Sequence, residues 1–503
     1  MRATVTAHKD YTISKIDDRV YGAFLEHLGR AVYTGIYEPG HKTADKNGMR
    51  GDVAQLVRDL NIPMVRYPGG NFVSAYNWED GIGPRADRPV RLDYAWHTSE
   101  SNAVGIHEFA DWCETVNTKM MLAVNLGSRG LDHARNFVEY VNGPTGSYWG
   151  DLRKKNGRAD PWDVKLWCLG NEMDGPWQVG HKTADEYGRL ASETAKALRM
   201  FDKSLELVVC GSSNSDMPTY PDWERIVLEH TYESVDHISL HMYFGNRAKN
   251  TANYLALSEK LDTYIDTIGA TIRYVKSKKR SKRDVYISFD EWNVWYHSNA
   301  QDRAILEGNE GWPHAPRLLE DIYNFEDVLQ VGCILNTFIR RSDVVKLACI
   351  AQLVNVIAPI MTEPGGDAWR QSIYYPYFFA SIFGRGTALQ LSVNSPGYDA
   401  DVADNVPYLD VSAVHDEEAG TLTFFAVNRH GTESIDMDVA LQGFTAGQVI
   451  DHQVMTHTNL EAVNSLKDQN AVTPKKGSGA KVEGGRLTAR LAPYSYQMIR
   501  VKV

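Results

Sequence analysis

The sequence predicts an α/β protein: a (β/α)8 TIM barrel with a second, all-β sandwich domain. Three observations carry that prediction. From about residue 18, short apolar runs alternate with longer amphipathic stretches, the pattern of repeated βα units. After about Gly386 the texture changes to closely spaced strand-like runs separated by turn signals. Glu172 and Glu291 each close a short apolar run of the first region, where a carboxylate is costly unless a cleft uses it.

The elements follow in chain order. The first 17 residues hold two short strand-like pieces, 3–6 and 11–14, expected to join the sandwich. Seven barrel strands are predicted at 22–28, 64–67, 120–126, 164–169, 205–210, 237–241 and 285–289. The eighth is placed near 356–361, although 344–360 also reads as a helix. Helical patterns at 105–115, 184–200, 254–275 and 324–338 lie between them. Eight such units with crossovers of one hand can close into a barrel. Beyond it, 409–414, 421–428, 434–441, 449–457, 486–491 and 494–503 read as strands. Ile435, Met437, Val439 and Leu441 alternate with Asp436, Asp438 and Ala440, the period of a half-buried strand. The predicted division is 18–386 for the barrel, with 1–17 and 387–503 forming the sandwich.

Composition narrows the function classes. The net charge of −11 argues against nucleic acid as a partner. The basic run Lys276–Arg283 then reads as the solvated end of a helix, where cations suit the dipole. No run of about 18 apolar residues occurs, so no membrane partner is expected. The N-terminus, Met1-Arg2-Ala3-Thr4-Val5-Thr6, lacks the apolar core of a secretory signal. The five cysteines are widely spaced, and no C-x-x-C pair signals zinc or a disulfide framework. A reduced, cytoplasmic location is expected. Neither a G-x-G-x-x-G after a strand, nor a Walker loop, nor a G-x-S-x-G elbow appears, so no nucleotide cofactor or serine nucleophile is indicated.

The chemistry rests on the paired carboxylates. All strand C-termini of a closed barrel open on one face. Glu172, after strand four, and Glu291, after strand seven, would meet there. Glycoside hydrolysis needs such a pair, one carboxyl to donate a proton and the other to attack or to activate water. Asn171 can hydrogen-bond a sugar hydroxyl, and Tyr243 can donate to the nucleophilic carboxylate. Arg66 ends strand two and could orient Glu291. Glu26 and His27 end strand one and fit a role in holding hydroxyls, with a structural histidine as the plainer reading of His27, His237 and His241. Trp96, Trp177 and Trp295 fall in βα loops, where rings meet ligands or simply pack. A metal set of His237, His241, Asp290 and Glu291 is the rival assembly, but no spacing such as H-E-x-x-H supports it.

Longer strings make the pattern specific. Cys168-Leu169-Gly170-Asn171-Glu172-Met173-Asp174-Gly175-Pro176-Trp177-Gln178 resembles the acid/base segment of the family 51 α-L-arabinofuranosidases. Asp290-Glu291-Trp292-Asn293-Val294-Trp295-Tyr296 resembles their nucleophile segment. Arg66-Tyr67-Pro68-Gly69-Gly70-Asn71-Phe72, Ala351-Gln352-Leu353-Val354-Asn355-Val356-Ile357 and Glu363-Pro364-Gly365-Gly366 match as well, so the likeness spans nearly the whole chain. The resemblance implies a retaining, exo-acting enzyme that releases terminal arabinofuranose from arabinoxylan or arabinan oligosaccharides. Glu172 would be the acid/base and Glu291 the nucleophile. Glu26, Arg66, Asn71, Asn171, Tyr243 and Gln352 would bind the furanose ring, with Trp295 beside it. It also implies no metal or other cofactor, and assembly into homo-oligomers, often hexamers. A β-xylosidase or endoglucanase on the same fold, and more remotely a non-catalytic carbohydrate-binding protein, stay open as alternatives.

Overall fold

The structure is a computed structural model that describes residues 1–445 and 447–503. Eight parallel strands close into a barrel. They are β1 (Gly22–Phe24), β2 (Met64–Tyr67), β3 (Lys119–Ala123), β4 (Leu166–Leu169), β5 (Glu206–Cys210), β6 (His237–Phe244), β7 (Tyr286–Val294) and β8 (Val345–Ala351). Each pairs in parallel with its sequence neighbours, and β8 closes on β1 through Cys349 opposite Gly22 and Ala351 opposite Phe24. Strands such as β5 are apolar on both faces because one side fills the barrel and the other meets helices.

One strand lies elsewhere than expected, while β1 is shorter and β6 and β7 are longer than the predicted runs. The eighth is Val345–Ala351, not 356–361. The stretch 344–361 is apolar almost throughout, so periodicity could not locate the strand within it. Pairing with β1 selects its first half. Residues 356–359 form the loop that follows, and Ile360–Thr362 pairs in a short hairpin with Ala368–Arg370.

The helices pack outside the ring. Helix Ala184–Phe201 starts at a capping box, Thr183 with Glu186, worth about 1 kcal/mol. It buries Tyr187, Ala191, Thr194, Ala195 and Leu198, one face at helical spacing. The basic run lies where a helix ends: Leu257–Lys279 stops at Arg280, which has φ +54°, and Lys276 and Lys278 pair with Asp284 and Glu229.

The rest of the chain forms a five-stranded and a seven-stranded sheet. Alternating apolar residues from both sheets, among them Val5, Val439, Leu487, Phe424 and Ile499, share one core. The N-terminus belongs to it. Arg2–His8 pairs in parallel with Ile435–Gln442, and Thr12–Lys15 pairs with Thr387–Leu389. Helix Phe325–Arg340 joins barrel to sandwich. Its Arg340 and Asn336 donate to the buried Asp410 at 2.7 and 2.9 Å. Asp410 also takes a bond from the fully buried Arg429.

Candidate active site

The C-terminal mouth of the barrel opens into a cavity of about 750 Å³. Glu26, Asn71, Glu172, Tyr243, Glu291, Trp295 and Gln352 line it, together with Trp96 and Trp177. Arg66 and Asn171 stand behind these groups. A carboxylate oxygen of Glu172 and one of Glu291 lie within 4.8 Å of each other.

Glu291 sits inside β7, which runs on to Val294, five residues past the predicted end. In a regular strand Asp290 and Glu291 would point to opposite faces. Here the register shifts between Phe289 and Trp292 on one side and between Ser239 and His241 on the other. Such irregularities re-aim side chains. Both carboxylates consequently reach His241. Arg66 Nη1 donates to Glu291 Oε1 at 2.7 Å and Tyr243 OH donates to Oε2 at 2.8 Å. Arg66 Nη2 donates to Asn171 Oδ1 at 2.6 Å, and Asn171 Nδ2 donates to Asn71 at 3.3 Å. Arg66 and Asp290 are wholly enclosed. Burial works against the Arg66 charge, but Asp290 and Glu291 hold its pKa well above the usual arginine value. Burial likewise works against the Asp290 charge, yet Arg66 and His241 keep its carboxyl below the ordinary value.

Glu172 lies three residues beyond β4. Its Oε2 accepts from the Trp177 indole at 2.7 Å and its Oε1 lies 2.9 Å from His241 Nδ1. The other ring nitrogen of His241 lies 3.0 Å from Asp290. Ionised carboxylates accept, so both nitrogens donate and the ring is an imidazolium whenever the shared proton rests on the ring rather than on Glu172. Burial would lower the His241 pKa, but the Glu291 charge and the bonds to Asp290 and Glu172 push it up to about 10.

Glu26 forms a third polar corner. Its Oε1 accepts from Phe72 N–H at 2.8 Å and from Trp96 Nε1 at 3.1 Å. Its own backbone N–H donates to Gln352 Oε1 at 2.9 Å. Burial, with the charge of Glu291 adding to it, pushes the Glu26 carboxyl up to about 8. Gly70 makes this contact possible, since a Cβ there would stand 2.5 Å from Glu26 Oε2. Trp295 meets Tyr243 edge-on, with ring centroids 5.4 Å apart.

Other expectations shift. His27 turns away from the cavity, and its ring bonds Glu100 at 2.9 Å and Tyr67 OH at 2.6 Å. The rival metal set is split, because His237 is at the opposite end of β6, 3.9 Å from Glu206. Glu172, His241 and Glu291 do approach one another, but both His241 nitrogens are already engaged by carboxyl groups, Glu172 and Asp290. His241 and Asp290 are the groups of the site that sequence reasoning undervalued. The available signal was His241-x-Tyr243 on one strand, which puts both side chains on one face.

Comparison with known proteins agrees across the whole chain. The α-L-arabinofuranosidase 1 domain matches residues 56–264, and the α-L-arabinofuranosidase C-terminal domain matches residues 290–495. An intracellular exo-α-(1→5)-L-arabinofuranosidase of Halalkalibacterium halodurans is 56% identical, covering 100% of this chain and 99% of its own. One of the same description from Bacillus subtilis is 55% identical with the same coverage. Among solved structures, a family 51 α-L-arabinofuranosidase from Bifidobacterium longum superposes with TM-score 0.95 at 40% identity, covering 99% of each chain. The arabinose complex of an α-L-arabinofuranosidase from Thermotoga maritima gives 0.88 at 31% identity, covering 100% of each.

Proposed function

The chain belongs to the family 51 α-L-arabinofuranosidases, and from that premise we propose how its residues divide the work. The protein is an exo-acting α-L-arabinofuranosidase, a glycoside hydrolase that removes terminal α-L-arabinofuranosyl units. Arabinan and arabinoxylan oligosaccharides are its expected substrates.

The approach of Glu172 and Glu291 to within 4.8 Å supports a retaining mechanism, and the bonds from Arg66 and Tyr243 to Glu291 support it as the nucleophile. Retaining enzymes hold their carboxyls about 5–5.5 Å apart, while inverting enzymes leave room for a water between them. In the first step Glu291 forms a bond to the anomeric carbon as the bond to the leaving oxygen breaks, and Glu172 gives that oxygen a proton. In the second, Glu172 takes a proton from water, whose oxygen bonds the anomeric carbon as Glu291 leaves. Arg66 and Tyr243 occupy one oxygen each of Glu291 and so aim the carboxylate. Asn171 is fixed by Arg66 beside the ring. Glu26, Asn71 and Gln352 offer hydrogen-bonding groups to ring hydroxyls, and Trp295 supplies a wall. Residues 18–386 form the catalytic unit, and 1–17 with 387–503 the sandwich that braces it.

The relatives described as intracellular, together with five buried free cysteines, support a cytoplasmic location. Among the described residues no helix is long and apolar enough to cross a membrane. Family resemblance supports a homo-oligomer, and the exposed side chains of Val90, Leu92 and Tyr94 are consistent with an apolar contact in it. Sedimentation velocity checks this; a monomer at all concentrations would refute it. The activity is tested by nitrophenol release from the α-L-arabinofuranoside and the β-D-xyloside. The arabinofuranoside should be the better substrate, and a preference for the xyloside would replace this reading with a β-xylosidase.

A further inference from the structure

Glu172 has φ +43°, in the left-handed region that is costly for a residue with a side chain. Such a conformation persists only where surrounding contacts over-determine it. The segment between β4 and helix Ala184–Phe201 is irregular, so the strand ladder cannot supply those contacts. Local turns supply some, with Gly175 N–H donating to Glu172 O and Lys182 N–H to Met173 O, both at 2.9 Å. Arg66 holds Asn171 and His241 holds the Glu172 carboxyl from the barrel side, and a further tether is needed on the side that faces β5.

Asp174, two residues on, is buried and lies outside the cavity lining. Its carboxylate accepts Ser213 N–H at 3.0 and 3.2 Å and the Ser213 hydroxyl as well. Ser213 belongs to the loop after β5 and lines the cavity. That loop is itself pinned: Glu224 accepts Ser212 N–H at 2.7 Å, and Tyr264 OH donates to Ser212 O at 2.9 Å. Asp174 thus joins the strained segment to a fixed one.

We propose that Asp174 is a positioning residue for Glu172: through Ser213 it holds the acid/base in place without touching substrate. The proposal rests on the reading of Glu172 as acid/base. A clamp of this kind has a signature that general structural damage lacks. Departure of a sugar alkoxide needs the proton from Glu172, whereas departure of a dinitrophenolate does not. The parameter kcat/KM reports the step that breaks the glycosidic bond, and is blind to the later hydrolysis of the intermediate.

The experiment measures kcat/KM on arabinobiose and on dinitrophenyl α-L-arabinofuranoside for wild type, Asp174→Ala, Asp174→Asn and Glu172→Ala. Asp174→Ala should lose about 10- to 100-fold on arabinobiose, the scale of a misplaced catalytic group. On the aryl substrate it should lose less than about threefold, because no acid is required there. Asp174→Asn keeps an oxygen for Ser213 N–H and should recover part of the loss; it also serves if the alanine variant does not fold. Equal losses on both substrates, or no loss on either, with Glu172→Ala still selective, would overturn the positioning role and leave the acid/base reading intact. If Glu172→Ala is itself unselective, the underlying reading fails instead.

Discussion

A carboxylate oxygen of Glu172 lies within 4.8 Å of one of Glu291, although the two come from β4 and β7 on separate parts of the barrel rim. His241 lies between them, 2.9 Å from the first and 3.6 Å from the second. A positive His241 ring offsets like-charge repulsion between Asp290 and Glu291, which both face it.

Removing the nucleophile should abolish the chemistry and spare the fold. Glu291→Ala is expected to lower kcat by at least about 10³-fold on every arabinofuranoside, since Glu291 is the carboxylate that Arg66 and Tyr243 aim into the cavity. The circular dichroism spectrum should stay unchanged. Turnover within tenfold of wild type would remove Glu291 from this role.

Removing the acid/base should act through the leaving group. Glu172→Ala should cost about 10²–10⁴-fold in kcat/KM on arabinobiose, the usual span for general acid catalysis. Added azide should speed turnover of aryl substrates by intercepting the intermediate, giving an arabinosyl azide. Absence of that product would count against the second half of the cycle.

Arg66 should matter to stability as well as activity. It is buried against Asp290 and Glu291, so Arg66→Met leaves those two carboxylates with His241 as their remaining cation. Breaking a buried pair from one side typically costs about 3–5 kcal/mol. Urea denaturation of the variant should show a lower midpoint and an unfolding free energy reduced by about that amount, and an unchanged midpoint would mean the network is not coupled to folding.

Histidine 241 predicts a pH dependence with a definite sign. Its folded pKa is raised from 6.5 to about 10. Its contribution to stability is complete below the unfolded value, declines above it and is lost as pH rises through about 10. The gap in urea midpoint between wild type and His241→Gln should therefore be widest near pH 6 and shrink towards pH 10. A gap that stays constant, or widens with pH, contradicts the imidazolium.

Gly70 permits Glu26 to occupy its corner, because a Cβ would meet Glu26 Oε2 at 2.5 Å and Glu26 is held from three sides. Gly70→Ala should displace that carboxyl by enough to raise KM about tenfold or more. A wild-type KM would show that Glu26 does not hold the ring.

Much of this was legible in the chain. Continuous apolar runs such as Leu207-Val208-Val209-Cys210 announced parallel strands buried on both faces, and the alternation at 435–441 announced the sandwich. The eighth strand was not, since hydrophobicity is uniform from 344 to 361 and only pairing with β1 selects 345–351. The extent of β7 was hidden because Asp290, Glu291 and Asn293 break the apolar pattern inside it, the sort of violation that a functional site imposes. Glu172 and Glu291 stood out as carboxylates next to buried strands. The convergence of His241 and Asp290 on them depends on register shifts in β6 and β7, which carry no residue signature. Tryptophans 96 and 177 reach Glu26 and Glu172 from loops whose course only the fold determines.

The decisive observation is the identity of the side chain that carries the sugar. Glu172→Ala, mixed with a dinitrophenyl arabinofuranoside and acid-quenched, should accumulate protein bearing one pentosyl group, because release from the intermediate lacks its base. Peptide mass spectrometry should locate that group on Glu291. A pentosyl group on any other residue, or a burst of dinitrophenol with no labelled protein, would contradict attack by Glu291.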